Sequence, residues 1–186
     1  MLVGFTGAGC TGKSTLLNIC KQLLPDWNFV DEVTRKVMRD GLKINEDGDN
    51  LTQLFILKEH LNNHVVNEQD NWLLDRCILD GYVYTKWLNE QGSVNNWVLT
   101  YAANLLSMLG GRLDVIFYTE PDDIQIVDDG ERSINSKFRN DIVKIYENLL
   151  TNTCSTPGED TWRHKVVRLS GDVTTRMNMI QQTLKI

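Results

Sequence analysis

The stretch Gly7-Ala8-Gly9-Cys10-Thr11-Gly12-Lys13-Ser14 fits the pattern G-x-x-x-x-G-K-[ST] at every fixed position. The apolar run from Leu2 to Thr6 before it predicts a buried strand, and the residues from Ser14 to Leu24 after it predict an amphipathic helix. A strand, this loop and a helix in that order are the context in which the pattern forms a phosphate-binding loop. Its glycines let the backbone N–H groups turn inward towards an anion, and the helix dipole strengthens that field.

The loop predicts both a nucleotide and a metal. Lys13 is expected to reach the β- and γ-phosphates of ATP, and Ser14 is expected to place its hydroxyl on Mg²⁺. The predicted nucleotide-binding residues are Gly7, Ala8, Gly9, Cys10, Thr11, Gly12, Lys13, Ser14 and Thr15.

Apolar runs and helical patterns alternate along the rest of the chain. Further strands are predicted around Trp27 to Val30, Trp72 to Leu74, Val115 to Tyr118 and Val166 to Leu169. Helices are predicted between them, with stripes that include Leu51, Leu54, Phe55, Leu61 and Val65, and then Phe138, Ile142, Ile145, Tyr146 and Leu149. This alternation indicates a three-layer α/β/α fold around a mainly parallel sheet, whose site lies at the carboxyl ends of the strands.

Polar residues follow two of the predicted strands. Asp75 ends the run Trp72-Leu73-Leu74, which is the position of a Walker-B acid that holds Mg²⁺, and Arg76 is expected to point into the same crevice. Glu32 and Arg35 follow the second strand, where Glu32 could accept the proton of an attacking hydroxyl and Arg35 could hold an anionic part of the acceptor. The alternatives are a surface salt bridge at Asp75-Arg76 and a surface ion pair between Glu32 and Arg35.

A long polar segment, about residues 121–136, is predicted to be a lid. Arg132 within it, and Arg139 just after it, could close over the phosphates and stabilise charge in the transition state. The alternative is a solvated charged loop.

Residues of two predicted helices complete the candidates. Asp80, Tyr82 and Tyr84 could line an acceptor pocket or form a half-buried helix face. His60 and His64 have i,i+4 spacing, and because two histidines make a poor metal site, a solvated helix face is expected for them.

Length and composition bound the class of protein. The 186 residues, 41% of them hydrophobic, suit one domain over residues 1–186. The net charge of −6 disfavours a dedicated nucleic-acid binder. No apolar stretch of about 18 residues suggests a membrane span, and the N-terminus lacks the basic region of a signal peptide. The scattered cysteines (Cys10, Cys20, Cys77 and Cys154) are expected to be reduced thiols of a cytoplasmic protein.

Taken together, these motifs resemble the P-loop nucleoside/nucleotide kinase superfamily, in particular its small AAA-type ATPase/kinase branch with nicotinamide-riboside-kinase-like domains and phage kinases. The resemblance is carried by Gly7–Ser14, by Glu32 with Arg35, by Leu74-Asp75-Arg76 with Asp80, and by Asp129-Gly130-Glu131-Arg132 followed by Phe138-Arg139. It implies a phosphotransferase of nucleotide metabolism. The residues expected to contact the acceptor are Glu32, Arg35, Arg76, Asp80, Tyr84 and Arg139.

Three functions stay open at this point. The first is Mg²⁺-dependent phosphoryl transfer to a nucleoside or (deoxy)nucleoside monophosphate. The second is phosphorylation of a hydroxymethyl pyrimidine within phage DNA, which a basic channel beside the cleft would favour. The third is an ATPase or GTPase switch, although the sequence has no N-K-x-D guanine motif. The preferred partner is a small-molecule acceptor, and homodimer formation is left open.

Overall fold

A computed structural model describes residues 1–65, 69–121, 135–151 and 161–186. Within these residues the chain forms a parallel sheet of five strands: β1 (Leu2–Thr6), β2 (Asn28–Val30), β3 (Trp72–Leu74), β4 (Val115–Thr119) and β5 (Val166–Leu169). The spatial order is β2-β3-β1-β4-β5. The chain therefore leaves β1 towards one side of the sheet and later crosses to the other, which opens a crevice at the carboxyl end of β1.

Seven helices are described around this sheet, and two short 3₁₀ turns at Asn45–Asp47 and Arg163–Lys165 join them. The helices are α1 (Lys13–Leu23), α2 (Val33–Arg39), α3 (Asn50–His64), α4 (Ile78–Glu90), α5 (Asn96–Gly110), α6 (Ser136–Thr151) and α7 (Val173–Leu184). The predicted strands and helices are all present, with ends that differ by a few residues.

Successive side chains of each strand point to opposite faces of the sheet. Helices pack on both faces and bury these side chains. Val3 and Phe5 pack with residues of α1 and α7, such as Leu16 and Ile180. Ile116 and its neighbours on the other face pack with α4, α5 and α6. The predicted three-layer arrangement is therefore the observed one.

Helix α3 buries a different face from the one its apolar stripe predicts. Leu51, Phe55 and Val65 are exposed, and the buried residues include Gln53 and the two histidines instead. The expectation that His60 and His64 lie on a solvated face was wrong: they are 1% and 0% exposed. Helix α3 packs against α2, α4 and α5, so its neighbours decide which side is covered.

The two buried histidines predict a pH-dependent stability. Burial, aided in His60 by the nearby His64, lowers the pKa of His60 from 6.5 to about 3, and burial lowers that of His64 to about 4. As the pH falls below 6.5, the unfolded chain binds protons that the folded chain excludes, so the free energy of unfolding should fall. The loss is up to about 1.4 kcal/mol per pH unit for each histidine.

Urea denaturation between pH 7.5 and 5 measures this dependence. The double variant His60→Gln/His64→Gln should show a much flatter pH dependence, whereas His164→Gln, at an exposed position, should keep the wild-type slope. Equal slopes in the double variant and the wild type would contradict the prediction.

Two further expectations from the sequence concern a membrane span and a lid. No helix in the described ranges combines the length and the apolar character needed to cross a membrane. Most of the predicted lid, Arg132 and Cys154 lie outside the described residues.

Candidate active site

The phosphate loop is shaped by residues with left-handed backbone. Gly7, Cys10 and Gly12 have φ of 138°, 56° and 83°. A Cβ at Gly7 would lie 2.6 Å from Thr119 Oγ1, so the close approach of the loop to the end of β4 requires glycine there. The hydroxyls of Thr11 and Thr119 share a hydrogen bond of 2.6 Å, which ties the loop to β4.

Lys13 is buried inside this loop. Its Nζ donates to the carbonyls of Gly7 and Ala8 at 2.8 and 2.5 Å. Burial and the charge of Arg76 lower the pKa of Lys13 to about 7. A phosphate group bound at the loop would offset both effects, because it brings negative charge to this ammonium group.

Arg76 is held between two acids at the end of β3. Its Nε donates to Glu32 Oε1 at 2.5 Å and its Nη1 donates to Asp80 Oδ1 at 2.8 Å. Asp75 and Arg76 are only 7% and 9% exposed, so the alternative of a surface salt bridge is wrong. Arg76 has φ of 76°, a conformation that costs a non-glycine residue about 1–2 kcal/mol, and the two ion pairs hold it there.

Asp80 has both carboxylate oxygens engaged. Oδ1 accepts from Arg76 Nη1 at 2.8 Å and from Tyr146 Oη at 2.9 Å. Oδ2 accepts from Thr6 Oγ1 at 2.8 Å and from the Cys77 backbone N–H at 3.1 Å. This geometry favours a role in positioning Arg76, and the predicted direct contact of Asp80 with an acceptor stays a prediction.

Glu32 and Asp75 differ in charge environment. Burial alone would raise the pKa of Glu32, but Arg76 and hydrogen bonds outweigh it and lower the pKa to about 2. Burial and the Glu32 carboxylate raise the pKa of Asp75. Glu32 is therefore ionised at neutral pH, as a proton acceptor must be, although Arg76 weakens its basicity.

Two cavities meet at Glu32 and Arg76. One lies over the phosphate loop and is lined by Cys10, Thr11, Gly12, Lys13, Ser14, Glu32, Asp75 and Arg76. The other is a cleft whose lining includes Glu32, Arg76, Gly9 and Arg139. Asp75 lines the first cavity and is not among the residues that line the cleft.

The lining of the cleft combines aromatic, apolar and polar side chains. Tyr84 and Phe138 meet edge to face at 5.9 Å on one wall. Gln53 and His60 contribute polar groups from α3, and Nδ1 of His60 is buried without a hydrogen-bond partner among the described residues. A Cβ at Gly81 would lie 3.0 Å from the His60 ring, so glycine lets α4 approach it.

Sequence reasoning missed Gln53 and His60 as cleft residues. A signal was present, since Gln53, Ile56, Leu57, His60 and His64 recur at helical spacing along the buried face of α3. Because Gln53, His60 and His64 are polar, hydrophobic periodicity favoured the more apolar stripe on another face of the helix.

Arg139 lies between the loop and the cleft. Its Nε donates to the Gly9 carbonyl at 3.1 Å. Its Nη2 is buried and finds no hydrogen-bond acceptor in the described ranges. A buried donor left without an acceptor costs about 1–3 kcal/mol, and an anionic ligand in the cleft would remove that cost.

The residues present fit ATP and Mg²⁺. The left-handed loop leaves open space beside Gly9, where a Cβ would meet no heavy atom within 4 Å. Ser14 and Asp75 both line the cavity over the phosphate loop, and a hydroxyl with a carboxylate is a donor set that suits Mg²⁺. Nη2 of Arg139, which has no acceptor among the described residues, adds a cationic donor beside the Gly9 carbonyl.

Comparison with known proteins places the chain in a family. A family model described as an AAA domain matches residues 2–176. The chain belongs to this AAA domain family. No curated protein gives a significant match to it.

Solved structures share the fold of this AAA domain. A NadR protein in complex with NR superposes with a TM-score of 0.73 at 17% identity, over 100% of this chain and 52% of NadR. A NadR protein with NAD and AMP-PNP gives 0.70 at 15% identity, over 100% and 49%. Deoxyadenosine kinase from M. mycoides, with dCMP and dCDP, gives 0.70 at 16% identity, over 100% and 98%.

These matches concern the fold. The chain spans about half the length of the NadR chains and nearly all of the deoxyadenosine kinase. The predicted α/β fold is confirmed, and the family match agrees with the predicted AAA-type domain.

The residues predicted to contact the acceptor lie together in this AAA domain, whereas one predicted nucleotide-binding residue does not line the site. The cleft brings together Glu32, Arg35, Arg76, Asp80, Tyr84 and Arg139. Arg35 also forms the ion pair that was the alternative for it, with Nε 3.5 Å from Glu32 Oε2. Thr15 is exposed and is not among the residues that line either cavity.

Proposed function

We propose that this chain transfers the γ-phosphoryl group of ATP, in the presence of Mg²⁺, to a nucleoside or (deoxy)nucleoside monophosphate. The observation that carries the proposal is that Glu32 and Arg76 line both the phosphate-loop cavity and the cleft. A donor in one cavity and an acceptor in the other would meet at these two side chains. The fold likeness to a deoxyadenosine kinase and to NadR solved with NR supports it.

The protein groups divide into donor and acceptor sides. Lys13 would bind the terminal phosphates, and Ser14 with Asp75 would hold Mg²⁺, which neutralises phosphate charge when bound. Arg76 and Arg139 would stabilise negative charge at the meeting point of the cavities.

Oε2 of Glu32 would take the proton of the acceptor's hydroxyl group. Its Oε1 already accepts from Arg76 Nε at 2.5 Å and from Thr34 Oγ1 at 2.8 Å. Oε2 has the longer ion pair with Arg35, at 3.5 Å. A base is needed for a hydroxyl acceptor and not for an ionised phosphate, so this carboxylate favours a nucleoside over a monophosphate.

The shape of the cleft suits a flat ring. Tyr84 and Phe138 offer aromatic surface, and Met38 with Ile56 adds apolar surface. Gln53 and His60 offer hydrogen-bonding groups that could read the edge of a heterocycle. A planar base between apolar walls with a few polar contacts is the usual chemistry of such pockets.

The charges beside the site do not favour DNA as the substrate. A neighbouring groove is lined by three basic and three acidic residues, whose formal charges sum to zero: Lys21, Arg35 and Arg39 against Asp31, Glu32 and Asp75. A basic channel is therefore not formed by these residues, and a kinase of a base in DNA remains the second candidate.

Measuring ADP release from Mg-ATP tests the proposal. A panel of nucleosides, their monophosphates and hydroxymethylpyrimidine-containing DNA should include a nucleoside or monophosphate that stimulates ADP release and becomes phosphorylated. ADP release that no acceptor changes would instead favour the switch ATPase.

Arg139→Lys should lower kcat about 10- to 100-fold, because lysine keeps the charge but loses the Nη2 donor, which would hydrogen-bond a charged group of the bound ligand. The affinity for ATP should change much less. Lys137→Gln removes an exposed cation two residues away that pairs with Asp141, and its kcat should match the wild type. Equal losses of kcat and ATP affinity in Arg139→Lys would make Arg139 a ground-state binding residue.

A further inference from the structure

Arg176 joins three segments at the carboxyl edge of the sheet. It lies in the first turn of α7 and is 2% exposed. Its Nη1 donates to the Thr11 carbonyl at 2.7 Å, its Nη2 to the Glu120 carbonyl at 3.1 Å, and its Nε to the Gly171 carbonyl at 2.9 Å. These carbonyls follow β1, β4 and β5, so one guanidinium links the phosphate loop to the opposite half of the sheet.

The contact with Thr11 determines which way a loop peptide faces. In a trans peptide, the carbonyl of one residue and the N–H of the next point in opposite directions, and no cis peptide occurs in the described chain. When Arg176 holds the Thr11 carbonyl, the Gly12 N–H is directed away from Arg176. Thr11, Gly12 and Lys13 line the phosphate-loop cavity.

The conformational freedom of Gly12 would allow the Thr11–Gly12 peptide to rotate if nothing held it. Its φ of 83° lies in the left-handed region, where glycine can interchange conformations at little cost. A rotated Thr11–Gly12 peptide would present a carbonyl oxygen, and so negative charge, to bound phosphates. An external clamp on the carbonyl excludes that rotation.

We propose that Arg176 is a positioning residue for the polyphosphate: it holds the Thr11 carbonyl so that the Gly12 N–H is presented to the anion. The inference rests on the proposed function in requiring that the loop bind a nucleoside triphosphate. It adds a residue from the far end of the chain, 165 positions from Thr11, that is not itself among the residues lining either cavity.

The variants Arg176→Lys and Arg176→Gln test this role, with Arg168→Gln as the matched control. Arg168 lies on β5 and pairs with the Glu120 and Glu147 side chains at the same edge. Calorimetry should give the Kd of Mg-ATP and of inorganic triphosphate, which lacks a base, and thermal unfolding should give the Tm of each ligand-free variant.

Arg176→Gln should raise both Kd values by a similar factor, about 10- to 100-fold. Arg176→Lys should raise them less, because a single ammonium group replaces one arm of the fork. The acceptor KM should not change. In Arg168→Gln both Kd values should stay within about twofold of the wild type, because the lost hydrogen bonds go to the Glu120 and Glu147 side chains and not to the phosphate loop. If Arg176→Gln does not fold, the lysine variant decides.

Three results would overturn the inference. A lower Tm with unchanged Kd values would make Arg176 a structural residue only. A loss of ATP affinity without loss of triphosphate affinity would place its effect at the base. A wild-type protein that binds neither probe would overturn the proposed function itself, and this inference with it.

Discussion

Glu32→Gln is expected to lower phosphoryl transfer about 10²- to 10⁴-fold, the range that a general base contributes, while Mg-ATP binds with near wild-type affinity. The amide has the size of the carboxylate but cannot take the acceptor proton. Arg76 keeps its ion pair with Asp80 in this variant, so the site should stay assembled. Single-turnover kinetics and ATP titrations measure the two effects separately.

Asp75→Asn is the counterpart of this variant. Because Asp75 lines the phosphate-loop cavity with Ser14 and is not among the cleft residues, its loss should remove the metal-dependent part of ATP binding as well as activity. A magnesium titration of ATP affinity measures it.

Asp31→Asn is the control for both variants. Asp31 precedes Glu32 and is 81% exposed, with Lys21 as its partner. This variant should behave as the wild type. The opposite pattern in Glu32→Gln and Asp75→Asn would exchange the roles, and an active Glu32→Gln enzyme would remove the general base from the mechanism.

Lys13→Ala is expected to lower phosphoryl transfer about 10²- to 10³-fold, which corresponds to a loss of about 3–4 kcal/mol of transition-state stabilisation. The variant removes the charge aimed at the phosphates. It also leaves the buried carbonyls of Gly7 and Ala8 without the Nζ donor, and each such group costs about 1–3 kcal/mol. The Tm should therefore fall too, whereas the motif alone predicts an intact fold.

Activity of Lys13→Ala is best measured well below its Tm, alongside Lys86→Ala. Lys86 lies on α4 and pairs with Glu90 at 3.2 Å, so its loss should leave turnover unchanged. Turnover near the wild-type rate in folded Lys13→Ala would show that the phosphate site lies elsewhere.

Sequence reasoning was reliable where the physics is local. The phosphate loop needs glycines, a lysine and a hydroxyl within a few residues, and a strand and a helix flank it directly, so the motif and its context could be recognised together. The acids and arginines after β2 and β3 could be found in the same way, because a polar residue that directly follows a buried strand marks the edge of the sheet.

Packing was harder to predict. On α3 the residues Leu51 and Phe55 belong to the most apolar stripe yet are exposed, while Gln53, His60 and His64 are buried. Hydrophobic periodicity identifies a helix but not the partner that covers it. The roles of His60 as a cleft residue and of Asp80 as a support for Arg76 follow from contacts with other elements, which no local pattern records.

The sequence by itself determined the nucleotide loop, the α/β class and a set of candidate charges. The tertiary structure alone decided which of them act together. Glu32 and Arg76 are 44 positions apart and meet because β2 and β3 are neighbours in the sheet. Arg176 reaches Thr11 across 165 positions because α7 returns to the carboxyl edge beside the loop. Strand order sets these distances, and it depends on the summed packing of the whole chain rather than on any local run of residues.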